Sequence, residues 1–301
     1  MTTSEGKTIL ITGASRGIGL LTARSLAGRG HTVYAAMRDI VGRNAPAAGA
    51  VRDLAEQSGY RLRPIELDVA DPAACRAAVA EIEAERPIDV LVNNAGVMPV
   101  GVTEAFSMEQ IKSSFEVNMF GLARMSQAVL PAMRDRRSGL LIHLSSAAGR
   151  LSIPYFGVYC ASKWAMEAYA ESLNYELASF GIQSVLVEPS GHATDLVTSA
   201  PAPGGAQVLE AYGPFAEGRE RLLDMFKGLF AQGLAGNDAQ NVADRIVELV
   251  EMKGERPIRT QVGDDMGVTA INDAVAPIQE GLIAQLSQVY AAEERETAMV
   301  S

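Results

Sequence analysis

The chain has 301 residues, 48% of them hydrophobic and 21% charged, with a formal net charge of −10. That is enough apolar material for a sizeable core, and an acidic balance without a basic run argues against a nucleic-acid partner. No apolar stretch approaches the roughly 18 residues of a membrane span, and the opening "MTTSEGKTILITG" lacks the basic-then-apolar plan of an export signal. Cys75 and Cys160 stand in unrelated settings and suggest no disulfide framework, so a reduced, cytoplasmic protein is expected.

In chain order, short apolar runs at 7–12, 31–37, 61–67, 88–92, 139–144 and 182–188 read as buried strands. Helical patterns fall between them, near 16–29, 47–58, 72–85, 107–135 and 155–180. Strands apolar on both faces, alternating with helices, imply a parallel sheet covered on both sides: a doubly wound α/β domain. After residue 189 the pattern changes. Residues 190–206 are rich in Ser, Thr, Ala, Pro and Gly, and 207–232 turns helical and apolar through Leu209, Tyr212, Phe215, Leu222, Leu223, Met225, Phe226 and Phe230. A last strand is expected within 256–263, then a helix over 272–291 and a polar tail. One domain over 1–301 is the economical reading, with 190–236 as a substrate lid and 264–301 as a C-terminal extension.

"ITGASRGIG" follows the first strand and leads straight into a helix. Gly13, Gly17 and Gly19 let the backbone approach a pyrophosphate, and the helix N-terminus favours its charge. Many dinucleotide sites carry an acid at the end of the second strand for the adenine ribose. Here "VYAAMRD" offers Met37 and then Arg38, with Asp39 beyond the strand end. Arg38 and Arg16 suit a 2′-phosphate through forked guanidinium contacts, and the alternative is that each is a solvated surface charge. NADP(H) is therefore favoured, with NAD(H) possible.

In "GVYCASKWAM", Tyr159 and Lys163 lie four apart, on one face of the expected helix. Alone the pair would far more often be packing than chemistry. In order along the chain, however, stand "TGASRGIG" with Ser15 and Ile18, "LDV" at 67–69, "NNAG" at 93–96, Asn118, "SS" at 145–146 and "YCASK". Over roughly 7–195 this ordered set resembles the short-chain dehydrogenase/reductase family. The wording of "VYAAMRDI" and "VYCASKWAMEA" is similar to its 17β-hydroxysteroid and retinol dehydrogenase branch.

The resemblance implies a Rossmann-type sheet and hydride transfer between a nicotinamide and a carbonyl or alcohol. It implies that Asp68 and Val69 border the adenine, that Asn94, Ala95 and Gly96 steady the sheet beside the cofactor, and that Tyr159 donates or accepts the proton. A free phenol ionises near ~10, so bringing it to neutrality takes roughly 4 kcal/mol of preferential stabilisation of phenolate. Lys163 has the right charge to contribute, and by the resemblance also holds the nicotinamide ribose. Ser146, thirteen residues before Tyr159, would bind the carbonyl oxygen, with Ser145 as the competing choice. Asn118 would join a proton relay.

"EPSGHATD" departs from the family's Pro-Gly-x-x-x-Thr. Pro189 and Thr194 match, Thr194 by the resemblance toward the nicotinamide carboxamide, but Ser190 stands where glycine is usual. His192 is expected to be a solvated loop residue, with a contact to substrate or phosphate as the alternative. His31 and His143 lie on strand patterns and read as structural. No histidines, cysteines or carboxylates show metal-ligand spacing.

The expected protein is an NADP(H)-dependent oxidoreductase acting on a fairly bulky hydrophobic ketone, aldehyde or secondary alcohol. An acyl-carrier ketoreductase is the alternative, although 190–218 holds no Lys or Arg to dock an acidic carrier. A dinucleotide-binding regulator is another, although Ser146, Tyr159 and Lys163 are all present. Apolar residues on several faces of 107–135 and 155–180 (Met125, Ala128, Val129, Trp164, Ala168, Tyr169, Leu173) suggest a homodimer or homotetramer.

Overall fold

The computed structural model describes residues 6–300, with side chains through residue 287 and at 289. Strands apolar on both faces need cover on both sides, and seven of them meet that need as one parallel sheet. They are β1 (Thr8–Ile11), β2 (Thr32–Met37), β3 (Leu62–Glu66), β4 (Val90–Asn93), β5 (Gly139–Leu144), β6 (Ile182–Pro189) and β7 (Arg259–Val262), in the order β3-β2-β1-β4-β5-β6-β7. The order reverses between β1 and β4, which opens a crevice at the carboxyl ends of the strands, the place where doubly wound sheets bind ligands.

The helices are α1 (Gly17–Gly28), α2 (Ala45–Ser58), α3 (Pro72–Glu85), α4 (Met108–Phe115), α5 (Leu122–Arg136) and α6 (Gly157–Leu177), then α7 (Asp195–Thr198), α8 (Ala206–Tyr212), α9 (Gly218–Ala231) and α10 (Ala239–Glu251) before β7, and α11 (Val268–Val300) after it. Successive strand residues point to opposite layers. Ile9 and Ile11 pack with Leu26 of α1, Val51 of α2 and Ile246 of α10, whereas Leu10 between them packs with Ile82 of α3, Met125 of α5 and Leu173 of α6. Residues up to Asp264 form one compact unit, and those from Asp265 onward, with α11, form a second.

Several elements differ from the sequence expectation. Helix α10 was not anticipated, although Asp238 caps it by accepting from the Gln240 amide at 2.9 Å and Val242, Ile246 and Val250 recur at helical spacing. The expected helix over 107–135 is two helices joined by a π-helical turn, Glu116–Gly121. There the Val69 side chain lies 2.7 Å from where a Cβ on Gly121 would stand, so only glycine admits the contact. The pattern over 207–232 breaks at Gly213 (φ 52°) and Pro214. α11 starts before 272 and continues through the stretch read as a polar tail.

Met125, Val129 and Leu173, expected on faces for association, are instead core residues; Trp164 (46% exposed) and Ala168 remain on the surface. Among the described residues no helix is long and apolar enough to cross a membrane. Both cysteines are free and buried.

Candidate active site

The carboxyl ends of β1 and β4 are tied together by one hydroxyl. Thr12 Oγ1 accepts from the Asn94 and Ala95 amides, each at 3.0 Å, and the Asn94 side-chain amide donates to the carbonyls of Thr12 (2.8 Å) and Gly13 (3.0 Å). Gly13 has φ 66°, and a Cβ there would lie 2.7 Å from Ala95 Cα; a Cβ on Gly19 would lie 2.4 Å from Asn94 Nδ2. The glycines are thus fixed by the approach of β4. Arg16 precedes α1 with extended backbone and makes no side-chain cap, so the first-turn N–H groups of this twelve-residue helix form a cradle for an anion. Ser15 and Ile18 are half-buried in the same loop, and Ile18 packs on the core.

β2 ends at buried Met37, and Arg38 after it is exposed. Asp39 (φ 53°) turns its carboxylate into its own loop, accepting from the Arg43 amide at 2.7 Å, and so lies beyond the strand end as expected. Arg16, in the glycine loop, is exposed. Its guanidinium reaches the lid, 3.7 Å from Asp195 and 3.3 Å from Ser199 Oγ. Asp68 accepts from the Ala70 amide at 2.9 Å, which fixes the turn after β3.

Asn118, Ser146, Tyr159 and Lys163 come together at the ends of β4 and β5. The π-turn points Asn118 inward, where its amide bonds both ways with the Val97 backbone (2.8 and 2.9 Å) and donates to Ser162 Oγ at 2.9 Å. A Cβ on Gly96 would lie 3.4 Å from Asn118 Oδ1 and 4.0 Å from Lys163 Nζ, so a small residue keeps that space open. Ser146 caps the turn Ala147–Gly149, accepting from the Ala148 amide at 3.1 Å, and its hydroxyl faces the Tyr159 phenol. Lys163 Nζ donates to the Leu144 carbonyl at 2.6 Å and lies 5.7 Å from the centre of the Tyr159 ring.

The electrostatics differ from expectation. Burial pushes the Tyr159 phenol up to about 12, only partly opposed by the Ser146 hydroxyl, so Lys163 is not what sets it in this structure. Burial likewise lowers Lys163 to about 8, against the carboxylate of Glu167, which raises it.

The loop after β6 accounts for the unusual serine. Ser190 donates through its amide to the Val262 carbonyl at 3.0 Å, extending the pairing of β6 with β7. Glycine appears across the loop, at Gly263 (φ 92°), where a Cβ would fall 2.5 Å from Ser190 Oγ. Pro189 is buried at the strand end. Thr194 caps α7, accepting from the Leu196 amide at 3.4 Å, and lies 3.8 Å from a Cβ position on Gly17, so the lid begins over the glycine loop. His192, expected in solvent, is buried with Nδ1 on the Ser190 carbonyl at 3.1 Å. His143 bridges Asn93 (3.2 Å) and Ser184 (3.0 Å), and burial lowers it to about 3. His31 receives the Lys7 amide at 3.0 Å.

The lid is held to the segment after β4 by backbone bonds, Val100 to Pro201 (3.1 Å) and Gly205 to Ala105 (2.9 Å), and by the Arg219 guanidinium, which donates to the Val100 carbonyl (2.7 Å) and, within the lid, to that of Ala200 (3.0 Å). Beneath it Met98, Phe156, Leu223, Phe226 and Phe230 cluster with Tyr159. Tyr212, Phe215 and Met225, expected to join them, are largely exposed.

Sequence reasoning overlooked Thr12, although it stands inside the quoted glycine loop, and Glu167, although it continues the spacing of four from Tyr159 and Lys163. Among the described residues no three His, Cys, Asp or Glu side chains gather as a metal site.

The family model described as short chain dehydrogenase matches residues 7–203. The chain belongs to the short chain dehydrogenase family. Like other members it is an oxidoreductase of CH–OH groups. A 3-ketodihydrosphingosine reductase of Bacteroides thetaiotaomicron is 34% identical over 256 residues, 85% of this chain and 87% of that protein. Human retinol dehydrogenase 8 is 34% identical over 85% of this chain and 81% of its own, in keeping with the branch suggested by the sequence. Among solved structures, a short-chain dehydrogenase from Streptomyces avermitilis superposes with a TM-score of 0.72 at 30% identity, covering 98% of this chain and 99% of that one. A gluconate 5-dehydrogenase from Burkholderia cenocepacia, in complex with NADP and tartrate, gives 0.67 at 25% identity over 89% and 96%.

Proposed function

We propose that this dehydrogenase uses NADP(H) to interconvert a bulky hydrophobic ketone or aldehyde and its alcohol. The observation that carries this reading is the meeting of Ser146, Tyr159 and Lys163 at the sheet's carboxyl end, with Tyr159 set in the apolar cluster of the lid.

The first-turn N–H groups of α1 and the glycine-lined approach to β4 fit a dinucleotide pyrophosphate. Asp68 and Val69 would border the adenine, Asn94, Ala95 and Gly96 the adjoining ribose side, and Pro189 and Thr194 the nicotinamide end. When bound, the nicotinamide supplies or takes the hydride. Ser146 would hold the substrate oxygen, Tyr159 would give it a proton or take one, and Asn118 and Lys163 would connect that proton to solvent. A phenol raised by burial is held protonated, the form reduction needs, although it is a weaker acid than a free phenol and gives its proton only as its phenolate is stabilised.

NADP(H) is favoured because the end of β2 presents no carboxylate to a ribose hydroxyl, while Arg38 stands free in solvent and Arg16 is within the glycine loop. A charge-assisted bond is worth about 1.5–3 kcal/mol, so Arg38→Ala should lose about 10- to 100-fold of a preference for NADPH over NADH. The substrate class is supported by the apolar cluster at Tyr159, and by the sphingoid and retinoid substrates in the names of two relatives. Exposed Trp164 and Phe120 favour a homo-oligomer, and the chain's reduced cysteines a cytoplasmic setting.

The test is consumption of NADPH and of NADH by the purified protein across a carbonyl panel. The expected result is preference for NADPH, with cyclic or long-chain ketones turned over faster than small polar ones. The opposite order of substrates would falsify the substrate class, and NADH preference would overturn the cofactor.

A further inference from the structure

Tyr159, Lys163, Glu167 and Glu171 follow one another at intervals of four along α6, so they form a single ladder on one helix face. The upper two belong to the candidate site. Glu167 below them is buried (2% exposed), and a buried carboxylate is costly unless paired. Its partner comes from β7: Arg259 Nε lies 3.0 Å from Glu167 Oε2, while its two other nitrogens hold Glu171 at 3.1 and 2.8 Å. Glu188 of β6, also buried, lies 3.5 Å from the same Nε.

From the segment after β5, Ser145 and the Arg150 guanidinium face Glu167; burial raises its carboxyl, and Arg259 is the largest influence opposing that. A Cβ on Gly149 would fall 3.0 Å from Glu167 Oε1, so the turn that carries Ser146 closes directly over this carboxylate. The charged groups around Glu167 are therefore Lys163 and Glu171 on its own helix, Arg259 on β7, Glu188 on β6 and Arg150 after β5.

We propose that Glu167 is a positioning residue for this site: its clamped carboxylate favours the arrangement in which Lys163 is an ammonium and Tyr159 a phenolate over the one in which both are neutral. The inference deepens the reading of Tyr159 as the proton-transfer group and rests on it. The two arrangements differ by one proton moved from phenol to amine. The ammonium is one turn from Glu167, about 6 Å, and the phenolate two turns away, about 12 Å. Attraction to the nearer charge outweighs repulsion of the farther one, because Coulomb energy falls with distance. With an effective dielectric of about 20, the difference corresponds to a shift of about one pH unit.

The experiment is titration of Lys163 by the NMR shift of its side chain and of Tyr159 by tyrosinate absorbance, each taken as the difference from its Lys163→Met or Tyr159→Phe counterpart. Loss of the Glu167 charge lowers both midpoints, that of the nearer Lys163 more, so Glu167→Gln should widen the interval between them by about one pH unit. Ser145→Ala, which removes only a hydroxyl facing the carboxylate and leaves the charge in place, should widen it less and covers the case in which Glu167→Gln does not fold. An unchanged or narrowed interval overturns the inference, even if the unfolding midpoint drops, since a merely structural role would lower stability alone. The readout needs no turnover. Activity that survives Tyr159→Phe would instead sink the proton-transfer reading, and is scored separately.

Discussion

The floor of the site and its lid are built on different principles. In the floor, formed by the ends of β1, β4 and β5 with α6, nearly every polar side chain has a backbone partner: Thr12 joins β1 to β4, Asn118 holds Val97, and Lys163 reaches Leu144. These groups are buried, so each bond lost leaves an unsatisfied partner in low dielectric. The lid, by contrast, is pinned by backbone bonds at its edge and rests on half-buried aromatics. A charged link to the glycine loop, Arg16 to Asp195, joins two side chains each more than half exposed, a kind of pair worth about 0–1 kcal/mol. The floor is thus suited to holding reacting atoms still, and the lid to sorting what reaches them.

Substitutions should separate the two regions. Thr12→Val removes the acceptor for two amides at once; at about 1–3 kcal/mol per unsatisfied group, a loss of about 2–6 kcal/mol is expected in denaturant unfolding. A loss under about 0.5 kcal/mol would show that the floor tolerates slack.

His143 makes the floor acid-sensitive. Its folded value, about 3, lies below the ordinary 6.5, so the unfolded chain binds a proton in that window and the folded one does not. Stability should fall as pH drops from about 6.5 toward 3, by about 1.4 kcal/mol per unit from this group, and burial of His31 and His192 acts in the same direction. Unfolding measured against pH in wild type and His143→Gln checks this: the variant should show the shallower slope.

The smallest effect on folding belongs to the lid. Phe226→Ala should raise KM for bulky ketones about tenfold, in line with about 1.5 kcal/mol of lost apolar contact, while small substrates and the unfolding midpoint change little. An equal change for all substrates would mean that Phe226 packs only as core.

How much was legible in the sequence follows the same division. The strands, the glycine loop and the Tyr159–Lys163 pair are short-range patterns, and they appear where the spacing put them. The π-turn at Asn118 depends on Val69, far off in sequence, meeting a glycine. The Glu167–Arg259 pair joins residues 92 apart, and Thr12's hydroxyl serves amides more than 80 residues away. The direction of the Tyr159 shift was misread for a related reason: spacing shows Lys163 nearby but not the burial that outweighs it. In the lid, the apolar pattern of 207–232 could not tell Phe226, which turns inward, from Met225, which faces solvent.

The most direct test of the central claim is Tyr159→Phe, measured for NADPH binding and for single-turnover carbonyl reduction in the same preparation. Retained NADPH affinity with reduction slowed by about 10²- to 10⁴-fold is the predicted result, because the phenol supplies a proton and the rest of the floor stays in place. Reduction at the wild-type rate with the phenol absent would contradict the account.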